Sequence, residues 1–360
     1  MPVGNSPLKE AQFAELVKFC YLCSIESISY DGDAVTARFL RELTIRQLRA
    51  LAAVQKHRSV TAAANQLHLT QPAVTLQIRN LQTLAGLPLI QRTSDGMLLT
   101  DAGREVLTLA ERIEAAIGDC EMSLEMMAGK SAGRISIGAV STAKYIVPFM
   151  ISGFSKLHPN IDVTLSIGNR QEIGAALHGY DLDFAIMGRP PAGLEMNVHL
   201  IGDHPHVIIA PTAHPLARKS GLALSDLAGE TFLMREPGSG TRGLMEQLFE
   251  MARVRPKIGM SMSSNETIKQ AVIAGMGIAF ISAHTVATEL DERRLVTLDV
   301  VGLPVVRQWF VLSRKDKILL PPARAMLEFL SAHGAEFLPR THDRRRLTRP
   351  STPRKPSKAT

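Results

Sequence analysis

Within the run Thr70-Gln71-Pro72-Ala73-Val74-Thr75-Leu76-Gln77-Ile78-Arg79, the polar residues Gln71, Thr75 and Arg79 recur every four positions. That spacing puts all three on one face of a helix. Their types suit base edges. Gln hydrogen-bonds adenine, Thr meets the thymine methyl or a base edge, and Arg forks onto guanine or phosphate. Val74, Ile78 and Leu81 take the opposite, buried face. The other groupings with chemical potential are weaker. Cys20 and Cys23 have redox or metal spacing, but no second pair accompanies them. His199, His204 and His206 lack a carboxylate framework and read as loop and strand residues beside Pro205. Gly275-Met276-Gly277 precedes a strand instead of following one, so it reads as helix-to-strand packing and not as a dinucleotide fingerprint. Gly238-Ser239-Gly240 lacks nucleophile-elbow spacing. These readings point away from an enzyme and imply no metal or cofactor.

The base-reading helix needs a scaffold, and the neighbouring residues supply one. TIRQLRALAAVQKH forms a first helix with Ile45, Leu48, Leu51, Ala52 and Val54 inward. Ser59 is an N-cap for VTAAANQL, whose alanines permit close helix packing. His68-Leu69 make a short turn. Thr70 then caps the third helix, and Pro72 sits in its first turn, where a missing N–H costs nothing. LPLIQRTSDGMLLT reads as two short strands around Ser94-Asp95-Gly96, with Arg92 on this wing. In such a helix-turn-helix the second helix of the pair enters the major groove. Three packed helices without nucleic acid are the alternative.

Charge favours the nucleic-acid reading. Residues 44–100 hold six basic side chains (Arg46, Arg49, Lys56, Arg58, Arg79, Arg92) against one acid, Asp95. The formal net charge of +7 otherwise resides in the tail 339–360, where eight Lys/Arg face one acid. The folded excess therefore concentrates on one segment, as expected of a phosphate-backbone binder.

Beyond the wing, Val106, Leu107, Ala110, Ile113, Ile117, Cys120, Leu124 and Met127 mark a long helix over about 100–129, ended by Gly129 and Gly133. Residues 134–338 alternate β-rich runs (134–140, 162–168, 182–188, 206–211, 231–234, 258–262, 277–282, 307–313) with helical patterns. That alternation predicts α/β units with mainly parallel strands, in two small sheets better than one. The domain reading is an N-terminal extension (1–42), a DNA-binding domain (43–100) and a linker or dimerisation helix (101–130). The remainder is an effector domain, with subdomain I at 131–204 and 303–338 and subdomain II at 205–302, followed by a disordered basic tail (339–360). No run of eighteen apolar residues appears, and three cysteines in 360 residues fit a reducing cytoplasm.

RQLRALAAV…SVTAAANQLHLTQPAVTLQIRNLQTLAGLPLIQR…LLTDAGREVL resembles the LysR-type transcriptional regulators. The resemblance implies a winged helix-turn-helix, a dimerising linker helix and an effector domain of two Rossmann-like subdomains, like the periplasmic binding proteins. It also implies a homotetramer that bends promoter DNA and contact with RNA polymerase. On this basis Arg46, Ser59, Thr61, Thr70, Gln71, Pro72, Thr75, Arg79 and Arg92 are the expected DNA contacts. VSTAKYIVP, IGNR, AIMGRPP, REPGSGTR, SNETIKQAVIAGMGIAFISAHTV and GLPVVRQWFV further resemble the subfamily that controls RuBisCO and Calvin-cycle operons. The match covers about 43–315. It leaves residues 1–42 outside, so a non-ATG start near Leu43 is an expectation that N-terminal sequencing checks.

Several loops of the effector region suit an anion. Ser141-Thr142, Thr241-Arg242 and Ser264-Asn265 each stand at a helix start, where backbone N–H groups and hydroxyls converge. Asn169 and Arg189 follow other strands. In open α/β sheets such loops share the carboxyl edge of the strands, where ligands bind. The expected effector is a small anionic metabolite; the resemblance implies a sugar phosphate, phosphoenolpyruvate or NADPH. A LysR-type regulator of another operon, and an α/β binding protein or enzyme with an accessory helical domain, remain the alternatives. Replacing Gln71 with Ala is expected to cost about 1–3 kcal/mol on the specific DNA site and little on random DNA. Gel-shift titration of both DNAs checks this, and equal losses would assign Gln71 to positioning alone.

Overall fold

The structure is a computed structural model that describes residues 39, 41–130 and 132–339. Most of the N-terminal extension, with the Cys20/Cys23 pair, and the basic segment from residue 340 onward lie outside the described residues. The chain divides into two compact units between Ala110 and Glu111.

In the first unit, α1 (Ile45–His57), α2 (Val60–Gln66) and α3 (Gln71–Ala85) precede the hairpin of β1 (Ile90–Thr93) and β2 (Gly96–Leu99). Each helix start is capped as its sequence dictates. The Gln47 N–H donates to Thr44 Oγ1 at 3.3 Å, and Gln47 Oε1 accepts from the Thr44 N–H at 2.8 Å, a reciprocal box. Ser59 Oγ accepts from the Ala62 N–H, and Thr70 Oγ1 from the Ala73 N–H. Leu48, Leu51, Val54, Val74, Ile78 and Leu81 are buried, and Ala63 and Ala64 let the backbones approach. The wing is tied to the end of α1. Arg58 adopts φ 52°, and its carbonyl accepts the Met97 N–H at 2.9 Å. Gly96, at φ +103°, sits against that carbonyl, where a Cβ would lie 2.5 Å from Arg58 O. Only glycine fits such an approach at positive φ.

The long helix α4 (Asp101–Met127) matches the 100–129 expectation, with Gly129 at φ +67° beyond it. Thr100 begins it. Its Oγ1 accepts the Gly103 N–H at 3.0 Å and donates to Pro88 O at 2.6 Å. Along α4, Ile117, Leu124 and Met127 are exposed; with Ala110, Ile113 and Cys120 they follow alternating spacings of three and four, the spacing that coiled coils use.

The second unit's sheet has the order β4-β3-β5-β11-β6-β9-β7-β8, with β10 on β6. The strands are β3 (Arg134–Val140), β4 (Asp162–Gly168), β5 (Phe184–Met187), β6 (Met196–Pro211), β7 (Thr231–Arg235), β8 (Lys257–Met262), β9 (Ile278–Ser282), β10 (Leu295–Thr297) and β11 (Val305–Arg314). β3 pairs in parallel with β4 and β5, and β7 with β8 and β9. β6 and β11 pair antiparallel over ten residues of β11 and join the two parallel sets. The expectation of two small sheets therefore needs correction: hydrogen bonding runs unbroken through nine strands. The reason is the length of β6. It begins at Met196 instead of His206, because Val198 and Leu200 pair with Leu312 and Phe310. The polar stretch Gly202–His206 hides this continuity in sequence.

Each half is covered on both faces. α5 (Val147–Leu157) and α10 (Pro321–His333) bury Met150, Phe154, Met326 and Leu330 against Ile135, Ile137, Phe184 and Trp309. α6 (Arg170–His178) closes the other face through Ile173 and Leu177. In the second half, α7 (Gly240–Met251) contributes Met245 and Phe249, and α8 (Asn265–Ile273) contributes Ile268 and Val272. Gly277 abuts the Thr231 carbonyl, at 2.3 Å from a Cβ built on it, while Gly275 has open space, so the close approach here is of strand to strand, β9 against β7, and not the expected helix-to-strand packing. The short α9 (Ala287–Asp291) follows β9.

Gly103 faces the Leu89 carbonyl, which would lie 2.0 Å from an added Cβ. Gly103→Ala is expected to lower the urea midpoint of the first unit's transition, by about 1–3 kcal/mol for an overpacked site. An unchanged midpoint would show that this junction yields freely.

Candidate nucleic-acid interface and anion cleft

On α3, Gln71, Pro72, Thr75 and Arg79 are all exposed, while Val74 and Ile78 are buried. The face expected from spacing therefore exists. Ser59 and Thr70 spend a hydroxyl lone pair on their helix caps, and Thr75 Oγ1 donates to Gln71 O at 2.9 Å. The Thr75 methyl is left as its outward contact. Arg46 on α1, Thr61 on α2 and Arg92 on β1 are also exposed. Leu76, which was not anticipated, is 52% exposed beside Thr75. Exposed leucine is ordinarily unremarked; here it adjoins the polar row.

In the second unit, the carboxyl ends of β3, β4, β5 and β7 surround a cavity of about 210 Å³. Ser141, Thr142, Asn169, Arg189 and Thr241 line it, as expected from sequence. Arg242, Ser264 and Asn265 do not. Arg242 pairs with Glu246 at 2.8 Å, one helical turn on, and reaches Arg235 O. Ser264 caps α8 by accepting from the Thr267 N–H. Asn265 is buried behind the lining, where its Oδ1 accepts from Arg235 Nη1 at 2.5 Å and its Nδ2 donates to Ser141 O at 3.3 Å. These three are supports of the site instead of its surface.

The cavity's charge comes from residues that sequence spacing did not single out. Arg170, Arg235 and Arg307 join Arg189 in the lining, which includes no Asp or Glu. Arg235 is buried and its Nε and Nη2 fork onto Glu236 at 2.7 and 2.8 Å, while Nη2 also donates to Ser141 Oγ at 2.8 Å. Arg170 donates from Nη2 to Pro190 O at 3.0 Å, but its buried Nε has no partner. Burial, then the charges of Arg189 and Arg307, lower the Arg170 pKa. Guanidiniums that destabilise one another in a low-dielectric space favour an anion between them. The advance signals were one Arg after β4, one ending β7 and one on β11; long strand separation concealed their convergence.

Contacts across the cleft come from the same loops. Besides Arg235–Ser141 and Asn265–Ser141, the Tyr145 hydroxyl donates to the Glu266 carboxylate. Glu266 also meets Lys269 at 3.1 Å, and buried Lys269 reaches Glu289 at 2.7 Å. Burial and the Glu266 hydrogen bond raise the Tyr145 pKa, so it stays a donor.

The cavity floor holds a histidine cluster. His204 stacks on Trp309 at 3.7 Å between centroids and lies 4.2 Å from His206, and the Trp309 Nε1–H donates to His284 Nδ1 at 3.1 Å. The reading of His204 as a strand residue holds, yet it faces a site. Among the described residues no group of three or more His, Cys, Asp or Glu is arranged to hold a metal, and no helix is long and apolar enough to cross a membrane.

A winged helix-turn-helix, a long helix and a two-lobed α/β domain with a cationic cleft define a DNA-binding regulator that carries its own sensor. The chain belongs to the LysR family: the family model "Bacterial regulatory helix-turn-helix protein, lysR family" matches residues 45–104, and "LysR substrate binding domain" matches 128–335. It is 46% identical over 298 residues to the HTH-type transcriptional regulator CbbR of Xanthobacter flavus, covering 82% of this chain and 90% of the relative. It is 42% identical over 295 residues to the RuBisCO operon transcriptional regulator of Allochromatium vinosum, covering 82% and 98%. The Synechocystis PCC6803 CcmR regulatory domain in complex with 2-PG matches with a TM-score of 0.54 and 36% identity, covering 56% of this chain and 96% of that one.

The histidine cluster predicts a pH dependence. Burial pushes the His206 and His284 imidazoles down to about 4. An unfolded histidine takes its proton near pH 6.5. Below that pH the unfolded state binds protons that the folded state refuses, so stability present above about 6.5 is lost towards about 4. The slope is at most about 1.4 kcal/mol per pH unit for each histidine. Urea midpoints at pH 7 and 5 should fall accordingly, and His206→Gln should reduce the slope. That comparison separates the histidine from Glu111, Asp119 and Asp181, whose pKa values burial raises and which act in the opposite sense.

Proposed function

We propose that this protein activates carbon dioxide fixation genes of the RuBisCO and Calvin-cycle type when a small anionic metabolite occupies the cleft. The observation that carries the reading is a cavity lined by four arginines and no carboxylate, in a chain whose relatives include a RuBisCO operon regulator. Of the three metabolite types, the volume supports a sugar phosphate of few carbons or phosphoenolpyruvate. About 210 Å³ falls below the roughly 300–1,000 Å³ usual for larger ligands, which argues against a dinucleotide such as NADPH. The 2-PG complex of the Synechocystis relative supports the same class.

The roles follow. Ser141, Thr142, Asn169, Arg189 and Thr241, with Arg170, Arg235 and Arg307, hold the effector. Arg46, Ser59, Thr61, Thr70, Gln71, Pro72, Thr75, Arg79 and Arg92 engage DNA, the two caps by holding α2 and α3 in position. The domain limits proposed are 43–100, 101–130, and lobes 131–204 with 303–338 and 205–302. The apolar seam of α4 pairs protomers towards a tetramer, which acts on RNA polymerase in the cytoplasm. The effector shifts the DNA-bound state only by its differential affinity for two conformations.

The test is a gel-shift titration on a fragment from upstream of a RuBisCO operon that holds a T-N11-A palindrome, the site type that the LysR-type resemblance implies, with and without phosphoenolpyruvate or a sugar phosphate. Specific binding and an effector-dependent change in the complex are expected. Arg307→Ala should abolish the effector response, with at least a tenfold weaker effector affinity at about 1.5–3 kcal/mol for a charged hydrogen bond, and leave DNA affinity intact. Failure to bind that fragment would remove the carbon-fixation assignment.

A further inference from the structure

We propose that Asn265 is a positioning residue for the effector: reaching from the second lobe, it holds Ser141 of the first lobe so that the Ser141 hydroxyl gives its hydrogen to an acceptor atom of the bound anion. The proposal rests on the anion-cleft reading above and adds a residue that acts on the effector through another.

The geometry starts from Ser141, which is half-buried and lines the cavity. Its N–H donates to Gly168 O at 2.8 Å. Its carbonyl accepts from Asn265 Nδ2 at 3.3 Å. Its Oγ accepts from Arg235 Nη2 at 2.8 Å, and a guanidinium can only donate. The hydroxyl hydrogen is what Ser141 has left, and among the described residues no acceptor takes it. In a cavity lined by four arginines and no carboxylate, a bound anion supplies that acceptor.

Asn265 can sit in one orientation only. Its Oδ1 accepts from Arg235 Nη1 at 2.5 Å while its Nδ2 meets the Ser141 carbonyl. Turning the amide over would set two donors face to face at Arg235 and two acceptors at Ser141. The side chain is 1% exposed, and a polar group so buried needs its partners. Arg235 is fixed in turn by Glu236, at 2.7 and 2.8 Å. The clasp gathers three strand ends: Ser141 follows β3, Arg235 ends β7 and Asn265 follows β8. The next residue of α8, Glu266, takes the Tyr145 hydroxyl from the first lobe, so this helix start is held at two points. Ser141 is thus set as a donor only while the lobes stand together, and an anion that uses it favours that arrangement.

The test is a double-mutant cycle on the full chain, read by calorimetry with phosphoenolpyruvate and inorganic phosphate as probes, with a urea midpoint recorded for each variant. Ser141→Ala should weaken binding about tenfold. Asn265→Ala and Asn265→Leu, both uncharged, should each weaken it about tenfold while Ser141 is present, and by less than about twofold once Ser141 is alanine. A residue that only stabilises the lobe would move the midpoint and give equal losses in both backgrounds. Arg235→Lys, which keeps the charge and loses the fork, carries the same cycle if the Asn265 variants do not fold. Unchanged affinity in the Asn265 variants, or losses that simply add to that of Ser141→Ala, would overturn the proposal. If Arg307→Ala loses binding while the Ser141 and Asn265 variants keep it, the cleft reading stands and the Asn265 role falls. If wild type binds neither probe, both fall.

Discussion

The antiparallel pairing of β6 with β11 is the constraint on which the sensor depends. Ten consecutive residues of β11 find partners on β6, and each strand serves both halves of the sheet. This pairing brings His204 and Arg307 side by side under loops that arrive from β3, β4, β5 and β7. It also buries Trp309, which packs against the first half's core and donates to His284 of the second. A cleft between two lobes can change shape only about the strands that cross it. Here those strands carry the floor of the binding cavity, so occupancy and lobe geometry share one element.

Electrostatic imbalance gives the cleft its chemistry. The lining carries four guanidiniums, and one of them, Arg235, is neutralised locally by Glu236. The others have no carboxylate in the lining to balance them. Folding leaves this charge in place because the fold's stability comes from elsewhere, from apolar layers on both faces of each half-sheet. Such unbalanced groups are a stability cost accepted at a functional site. The buried histidines are the opposite case: burial, reinforced at His204 and His206 by neighbouring cations, keeps them neutral.

The DNA-binding unit is built on a different economy. Its helices are short, with α2 only seven residues long, and short helices depend on caps and packing. Thr44, Ser59, Thr70 and Thr100 supply the caps. Gly96 and Gly103 permit the two closest backbone approaches, to Arg58 and Leu89. The polar row on α3 is free to be exposed because the scaffold beneath asks nothing of it.

The amino-acid sequence by itself determined whatever is encoded over one or two helical turns. The helix-turn-helix, its caps at Ser59 and Thr70, the wing turn at Ser94–Gly96 and the α4 span were all legible, because capping, periodicity and glycine turns are local. Most strands of the sensor were legible for the same reason. Tertiary structure alone decided that the sheet is continuous, that Arg170, Arg235 and Arg307 converge with Arg189, and that Asn265 and Ser264 support the cavity without lining it. Arg170 and Arg307 are 137 positions apart, and no local pattern records which strand ends share an edge. His204 shows the division most plainly. In sequence it is a histidine beside a proline; its burial against Trp309 and its depressed pKa, held down by that burial and then by His206, His284 and Arg307, exist only once the strands pair.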